Sequence, residues 1–120
     1  MMSQLSQKFA AGVQSRLAGY KFDPATLLAL IQGIITMISN CKPPAKANVK
    51  AAVRDGKISP MQRGQVGAMA LFHDFRLVRG HARDFADAFC DEAIAQQHAY
   101  TSTPGGLDFI DAIDEEAQES

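Results

Sequence analysis

The stretch "VRDGKISPMQ", residues 53–62, decides how the helices of this chain are joined. Gly56 suits the left-handed residue that ends a helix, and Ser59 with Gln62 forms the pattern of a capping box. Pro60 suits the first position of the helix that follows. The stretch therefore predicts the end of one helix, a short turn and the start of the next.

The same stretch contains parts of two functional loops. A calcium loop needs oxygen ligands at its first, third, fifth and twelfth positions, and with Gly56 at the sixth position only Asp55 supplies a carboxylate. A helix pair that reads DNA should bury an apolar residue about six positions after the turn glycine, where this chain has Gln62. Neither pattern is satisfied, so the stretch is interpreted as architectural.

The remaining sequence is also helical in character and has no alternating strand pattern. Helices are predicted over residues 4–19, 24–40, 44–55 and 60–100, followed by a flexible linker over "TSTPGG" (101–106) and an acidic helix or tail over 107–120. The predicted fold is all-α. It is a small helical bundle of residues 1–100 with one long helix in its C-terminal half, followed by the acidic terminal segment.

The N-terminus and the cysteines bear on location. Residues 1–22 lack the continuous apolar core of a secretory signal, and an apolar residue recurs there every fourth position, as in an amphipathic helix. Cys41 and Cys90 lie far apart without metal-ligand spacing, which favours buried thiols in a reducing compartment. The chain is therefore expected not to be secreted by a signal peptide.

Charge is distributed very unevenly along the chain. Residues 1–83 hold all 12 Lys and Arg against three acids, whereas residues 84–120 hold the other ten acids and no Lys or Arg. Either the two regions neutralise each other, within one fold or between copies, or the asymmetry marks an interaction surface.

Two rows of basic residues are candidates for binding nucleic acid. On the short third helix, one side carries Lys42, Lys46, Lys50 and Arg54. A second row follows later, formed by Arg76, Arg79 and Arg83. Such rows suit a phosphate backbone, although a solvated helix side is an equal alternative. The short helix has no aromatic residues for base stacking, so sequence-specific reading is not indicated.

The acidic segment is predicted to dock on a basic surface. Its charged residues include Asp108, Asp111, Asp114, Glu115 and Glu116, and Phe109, Ile110 and Ile113 recur beside them at helical spacing. Docking could take place within the chain or on a neighbouring copy, and the neighbouring copy is preferred.

Two patterns predict helix packing or self-association. Small residues recur at every fourth position in Ala25, Ala29 and Gly33, which permits close helix contact. Along the predicted helix 60–100, a seam with a period of about 3.5 residues includes Leu71, Phe75, Val78, Phe85 and Phe89. The core of a bundle is favoured over a dimer seam.

Residues 24–41 contain no charge over 18 residues, the lower limit of a membrane span. The segment also contains several polar residues, which favours a fully buried central helix instead. Membrane insertion after a conformational change stays open as an alternative.

No pattern points to catalysis, a metal or a cofactor. His73, His81 and His98 do not combine with Asp84, Asp87 and Asp91 in a metal-binding spacing. The chain also lacks a nucleophile elbow and a phosphate-binding glycine loop. We therefore expect a non-enzymatic protein without a cofactor or a small-molecule substrate.

The order of segments resembles that of small helical proteins of bacteriophage particles: a "DPATLLALIQGIITMI" helix, a proline break, a short basic helix, a long helix and an acidic tail. The likeness is one of layout and covers most of the chain. It implies a virion component that packs against other copies, near a genome or a membrane. The expected location of the protein is cytoplasmic or virion.

The predicted function is a structural or assembly protein that self-associates through helices and turns a basic side toward nucleic acid. Two alternatives remain. One is a membrane-active protein that uses helix 24–41. The other is an inhibitor whose acidic tail mimics nucleic acid.

Overall fold

Six helices and no strand make up the part of the chain that the computed structural model describes, which is residues 4–20, 22–101 and 108–119. In chain order they are α1 (Gln4–Arg16), α2 (Pro24–Ser39), α3 (Pro43–Asp55), α4 (Pro60–His73), α5 (Arg79–Thr101) and α6 (Phe109–Glu119). The prediction of a small all-α bundle is confirmed. The predicted linker 101–106, apart from Thr101, lies outside the described residues.

The joint between α3 and α4 forms as its sequence predicts. Gly56 adopts a left-handed conformation with φ 66° and ψ 26°, and its N–H donates to a carbonyl of the last turn of α3. Ser59 Oγ accepts from the Gln62 N–H at 3.1 Å, while Gln62 Oε1 accepts from the Ser59 N–H at 2.9 Å. These bonds satisfy backbone groups at both helix ends, which accounts for the residues at the joint.

Helix α2 begins where its caps predict. Asp23 accepts from the Thr26 N–H at 3.1 Å, and Pro24 occupies the first helical position. One side of α2 is buried in the core and consists of Leu27, Leu30, Ile31, Ile34, Ile35 and Ile38. The opposite side, which includes Ala25 and Ala29, is exposed. Helix α2 is therefore a one-sided helix, and the prediction of a fully buried central helix is wrong.

The central helix is α5, which packs against α1, α3, α4 and α6. Several of its buried residues are alanines, so neighbouring helices can approach it from several sides. Its larger side chains fill the core between those helices. The ring of Phe89, for example, lies 5.0 Å from that of Phe9 in α1 in an edge-to-face arrangement.

The predicted uninterrupted helix over 60–100 is corrected to two helices, α4 and α5, joined by residues 74–78. Asp74 leaves the helical conformation at φ −138° and ψ 93°. The hairpin lets the small residues of α4 pack on α5, since a Cβ at Gly67 would lie 3.6 Å from the Ala82 carbonyl oxygen. Small seam residues thus bring two antiparallel helices together instead of extending one.

The hairpin divides the predicted seam. Phe85 and Phe89 are buried in the core, and Leu71 is half-buried. Phe75 and Val78 are exposed at the turn. A continuous seam along one helix, which the dimer alternative required, does not form.

Candidate functional site

The acidic helix α6 packs on α1, α2 and α5 of its own chain, and two carboxylates at its N-terminal end face the basic helix α3. Lys50 Nζ lies 2.7 Å from Asp111 Oδ2, and Arg54 Nε lies 3.8 Å from Asp108 Oδ2. Of the two predicted modes of docking, the structure of the single chain contains the one within the chain. Docking on a neighbouring copy stays a prediction.

The apolar side of α6 explains why it docks within the chain. Phe109, Ile110 and Ile113 are buried, and the Phe109 ring lies 5.6 Å from the rings of both Phe9 and Tyr100. The Phe109 N–H donates to Gln97 Oε1 at 2.8 Å. Because α6 completes the core and its first turn is hydrogen-bonded to α5, it is part of the bundle.

The remaining predicted acidic residues differ in their surroundings. The Glu116 carboxylate accepts from the Leu5 N–H at 3.1 Å, which ties α6 to α1. Glu115 is exposed. The side chain of Asp114 lies outside the described residues.

The four predicted nucleic-acid residues of α3 therefore differ in accessibility. Lys42 is exposed just before the helix, Lys46 is half-buried, and Lys50 and Arg54 contact α6. A polyanion would have to compete with carboxylates held beside two of these cations. Binding of nucleic acid by this row stays a prediction.

A different surface presents aromatic and basic side chains to solvent. Phe72, Phe75 and Val78, at the turn between α4 and α5, are 81%, 88% and 61% exposed, and we call them the aromatic corner. The sequence pattern assigned Phe75 and Val78 to a core seam and did not single out Phe72. The local signal in the sequence was weak, because Asp74 and Gly80 are poor helix formers but no proline marks the break.

Arg76, Arg79 and Arg83, which we call the arginine row, lie beside the aromatic corner. Arg76 Nε donates to Asp74 Oδ1 at 3.1 Å, and this hydrogen bond lowers the pKa of Asp74. Arg79 and Arg83 are exposed and line a groove between α4 and α5, of about 660 Å³, whose floor includes small residues of both helices. Residues 72–83 contain three arginines and one aspartate. The corner is therefore cationic.

A further arginine of the same groove is neutralised within the chain. Arg63 lies 3.2 Å from an Asp87 oxygen and 2.8 Å from an Asp91 oxygen, and the hydrogen bond to Asp91 is the main cause that raises the pKa of Arg63. These pairs also engage two of the carboxylates considered as metal ligands. Among the described residues no group of three or more His, Cys, Asp or Glu could hold a metal ion.

The small-residue row of α2 lies close to the aromatic corner. Ala25 and Ala29 line a shallow groove whose other wall includes His73 and Phe75. The His73 ring lies over Gly33, and three of its atoms are within 3 Å of the position that a Cβ at Gly33 would occupy. The row therefore contacts the turn between α4 and α5, and Ala25 and Ala29 remain exposed.

The two cysteines are free and differ in burial. Burial raises the pKa of the Cys90 thiol to about 12, which leaves it protonated at neutral pH. Cys41 is half-buried, and its thiol donates to the Met37 carbonyl at 3.3 Å.

No helix in the described part of the chain combines the length and the apolar character needed to cross a bilayer. No family model, characterised protein or solved structure matched the chain. Function is therefore inferred from the surface of the molecule itself.

Proposed function

We propose that this protein is a non-enzymatic assembly protein that binds the backbone of nucleic acid through the arginine row. The observation that carries the proposal is the exposure of Arg79 and Arg83 along an open groove. A guanidinium group presents a planar fork of donors that matches the oxygens of a phosphate.

The balance of charge at the corner supports a polyanionic partner. Residues 72–83 hold one carboxylate for three arginines, and that carboxylate, Asp74, is bonded to Arg76. Each phosphate neutralised by an arginine releases condensed counterions, so binding should weaken steeply with salt and depend little on sequence. On α3, by contrast, Lys50 and Arg54 already face carboxylates of α6.

The test compares two variants that each remove two positive charges. One is Arg79→Gln with Arg83→Gln at the corner, and the matched control is Lys50→Gln with Arg54→Gln on α3. Affinity for an oligonucleotide is measured by fluorescence anisotropy from 50 to 200 mM salt. Loss of two phosphate contacts should lower the salt slope for a single strand by about 1.4 in the corner variant only.

Equal losses in the two variants would mean that net charge, and not the arginine row, governs binding. Absence of binding by the parent protein would overturn the proposal. In both variants, circular dichroism at matched temperature verifies that the fold is retained.

A second candidate function is self-association through the same corner. The observation that favours it is that exposed Phe75 lies in one groove with Ala25 and Ala29, small residues that would permit close approach of a second copy. Two such corners would bring like charges together, so self-association should increase with salt. Nucleic-acid binding should decrease with salt. Light-scattering mass at low and high salt separates the two candidates, with Phe75→Ser as the variant that should reduce the mass.

The virion setting implied by the layout stays a prediction, as do the membrane-active and acidic-mimic alternatives. Insertion by α2 would require six buried side chains to leave the core. Mimicry by α6 would require its acids to leave Lys50 and Arg54.

A further inference from the structure

We infer that the nucleic acid bound at the corner is single-stranded, with its bases stacked on the exposed rings of Phe72 and Phe75. The inference rests on the proposed function and specifies the class of nucleic acid. It starts from the exposure of these two rings, which binding of a phosphate backbone by the arginine row does not explain.

Exposure of the two rings is unusual within this chain. Phe9, Phe85, Phe89 and Phe109 are all buried, whereas Phe72 and Phe75 are more than 80% exposed. Large apolar groups left in water lose the favourable free energy of burial, and neighbouring exposed groups of this kind mark interaction sites. The pair therefore indicates a ligand with flat apolar surfaces.

The rings and the arginines follow one another in sequence across the joint between α4 and α5. Phe72 lies in the last turn of α4, Phe75 and Arg76 lie in the joint, and Arg79 and Arg83 follow on α5. An α-helix rises by about 6 Å over four residues, so the last two arginines extend the surface along the groove. A single strand can place bases on the rings and phosphates beside the arginines at the same time.

A duplex would use this surface less well. Its bases are stacked on each other inside the helix, so the rings of Phe72 and Phe75 would reach only sugars and base edges. Phenylalanine also has no hydrogen-bonding group with which to read a base edge. Stacking on its ring is sequence-tolerant, because every base has a π-face.

The course of the arginine row argues against a lipid surface. A peripheral membrane site places its apolar residues at a tip and its cations around them at the level of the headgroups. Here Arg79 and Arg83 line a groove between α4 and α5 whose lining does not include Phe72 or Phe75. That geometry suits a chain of phosphates lying in the groove.

The experiment uses tryptophan as a reporter, since the chain contains none. Phe75→Trp keeps an aromatic ring at the corner, and its fluorescence should be quenched by oligothymidylate. A strand of equal charge that consists of abasic sites should bind through the arginines without quenching. A duplex with the same number of phosphates should also leave the fluorescence nearly unchanged.

A second variant measures the contribution of stacking. Phe72→Leu with Phe75→Leu keeps an apolar corner and removes both rings, and Met61→Leu serves as the control because Met61 is exposed elsewhere on α4. Loss of each stacked base should weaken binding to oligothymidylate by at least about five-fold. In both variants the affinity for the duplex and for the abasic strand should change by less than about two-fold, because neither ligand stacks a base on the rings.

Each outcome decides between the interpretations. Equal affinity of the parent for single strand and duplex, with no effect of the leucine variant, overturns the inference and leaves the proposed function in place. No binding to any oligonucleotide removes both. Binding of the parent to phosphatidylserine vesicles that depends on the two rings, without binding to oligothymidylate, assigns the corner to a lipid surface instead.

Discussion

The docked helix α6 and the aromatic corner use the same kinds of side chain in opposite ways. On α6, Phe109 is 1% exposed, and at the edge of the docked helix Lys50 contacts Asp111. At the corner Phe75 is 88% exposed beside Arg79, which is itself exposed. A basic row next to phenylalanine thus has no fixed meaning in a sequence. Its role depends on whether the chain supplies acids that pair with the basic residues and apolar residues that bury the phenylalanine ring.

The difference also divides the charge asymmetry of the chain into two parts. The α3–α6 contact neutralises cations within the molecule, and Arg63 is neutralised by Asp87 and Asp91 in the same way. The arginine row has two carboxylates next to it in sequence, Asp74, which is bonded to Arg76, and Asp84, which follows Arg83. Residues 72–83 themselves hold three arginines and one carboxylate, so positive charge exceeds negative charge where the exposed rings are.

The largest expected difference between the two regions is in stability. Phe109→Ala should lower the free energy of unfolding by about 3–5 kcal/mol, because it leaves a cavity among the rings that contact Phe109. Phe75→Ala should change it by less than about 0.5 kcal/mol, since the ring contributes little to the core. Urea unfolding followed by circular dichroism measures both. Similar losses of unfolding free energy in the two variants would show that the Phe75 ring is packed against other side chains.

The next effect concerns polyanion binding by α3. Asp108→Asn with Asp111→Asn removes the carboxylates near Lys50 and Arg54. Asparagine at position 108 can still accept the hydrogen bond that the Ile110 N–H donates to Asp108 Oδ1 at 2.9 Å. The two released cations should then contact phosphates and raise the salt slope for a single strand by about 1.4. Anisotropy titrations at several salt concentrations measure the slope. An unchanged slope would mean that α6 still shields α3 after its charges are removed.

A smaller effect on the stability of the fold is expected from removing the ion pair between α3 and α6. Lys50→Ala should lower the free energy of unfolding by about 0.2–1 kcal/mol at low salt, because the pair with Asp111 is partly exposed. Screening at 1 M salt should remove most of this difference. Arg79→Ala is the matched control at the corner and should be close to neutral at both salt concentrations. Paired urea titrations at low and high salt provide the comparison.

The smallest effect is the acid response of the corner. The hydrogen bonds from Arg76 hold the pKa of Asp74 below its ordinary value of 3.8. The contact therefore stabilises the fold above about pH 3.8, the unfolded value, and its contribution is lost as the pH falls through the lower folded value. In an NMR titration the Asp74 carboxyl should titrate below 3.8, and Arg76→Gln should move its midpoint upward. A midpoint at 3.8 in the parent would show that Arg76 is not bonded to it.

Local signals predicted the helices well because they act over a few residues. Gly56, Ser59 and Asp23 each satisfy backbone groups of their own turn, so their roles can be inferred without knowledge of the tertiary structure. The apolar spacing of α6 likewise predicted which of its residues contact the core. These features need no information about distant parts of the chain.

The turn between α4 and α5 could not be predicted in the same way. A period of 3.5 residues fits one long helix as well as two helices packed against each other, and no proline marks the break at Asp74. Packing of Gly67 close to Ala82 favours the hairpin, and that contact exists only in the folded chain. The exposure of Phe72 and Phe75 follows from the turn and was missed with it.

The difference in burial between the two thiols can be used to measure how often the core opens. Cys90 lies in an apolar cleft whose walls come from α2, α3, α4, α5 and α6, and its raised pKa keeps it protonated at pH 8. Alkylation of Cys90 therefore requires those helices to separate, whereas half-buried Cys41 needs a much smaller movement. The ratio of the two alkylation rates reports how often the bundle opens beneath α6, and the measurement needs no introduced cysteine. Local opening of the cleft should be insensitive to binding at the corner, since the cleft contains no residue of the aromatic corner or the arginine row. Opening by global unfolding should slow when a ligand binds the folded chain.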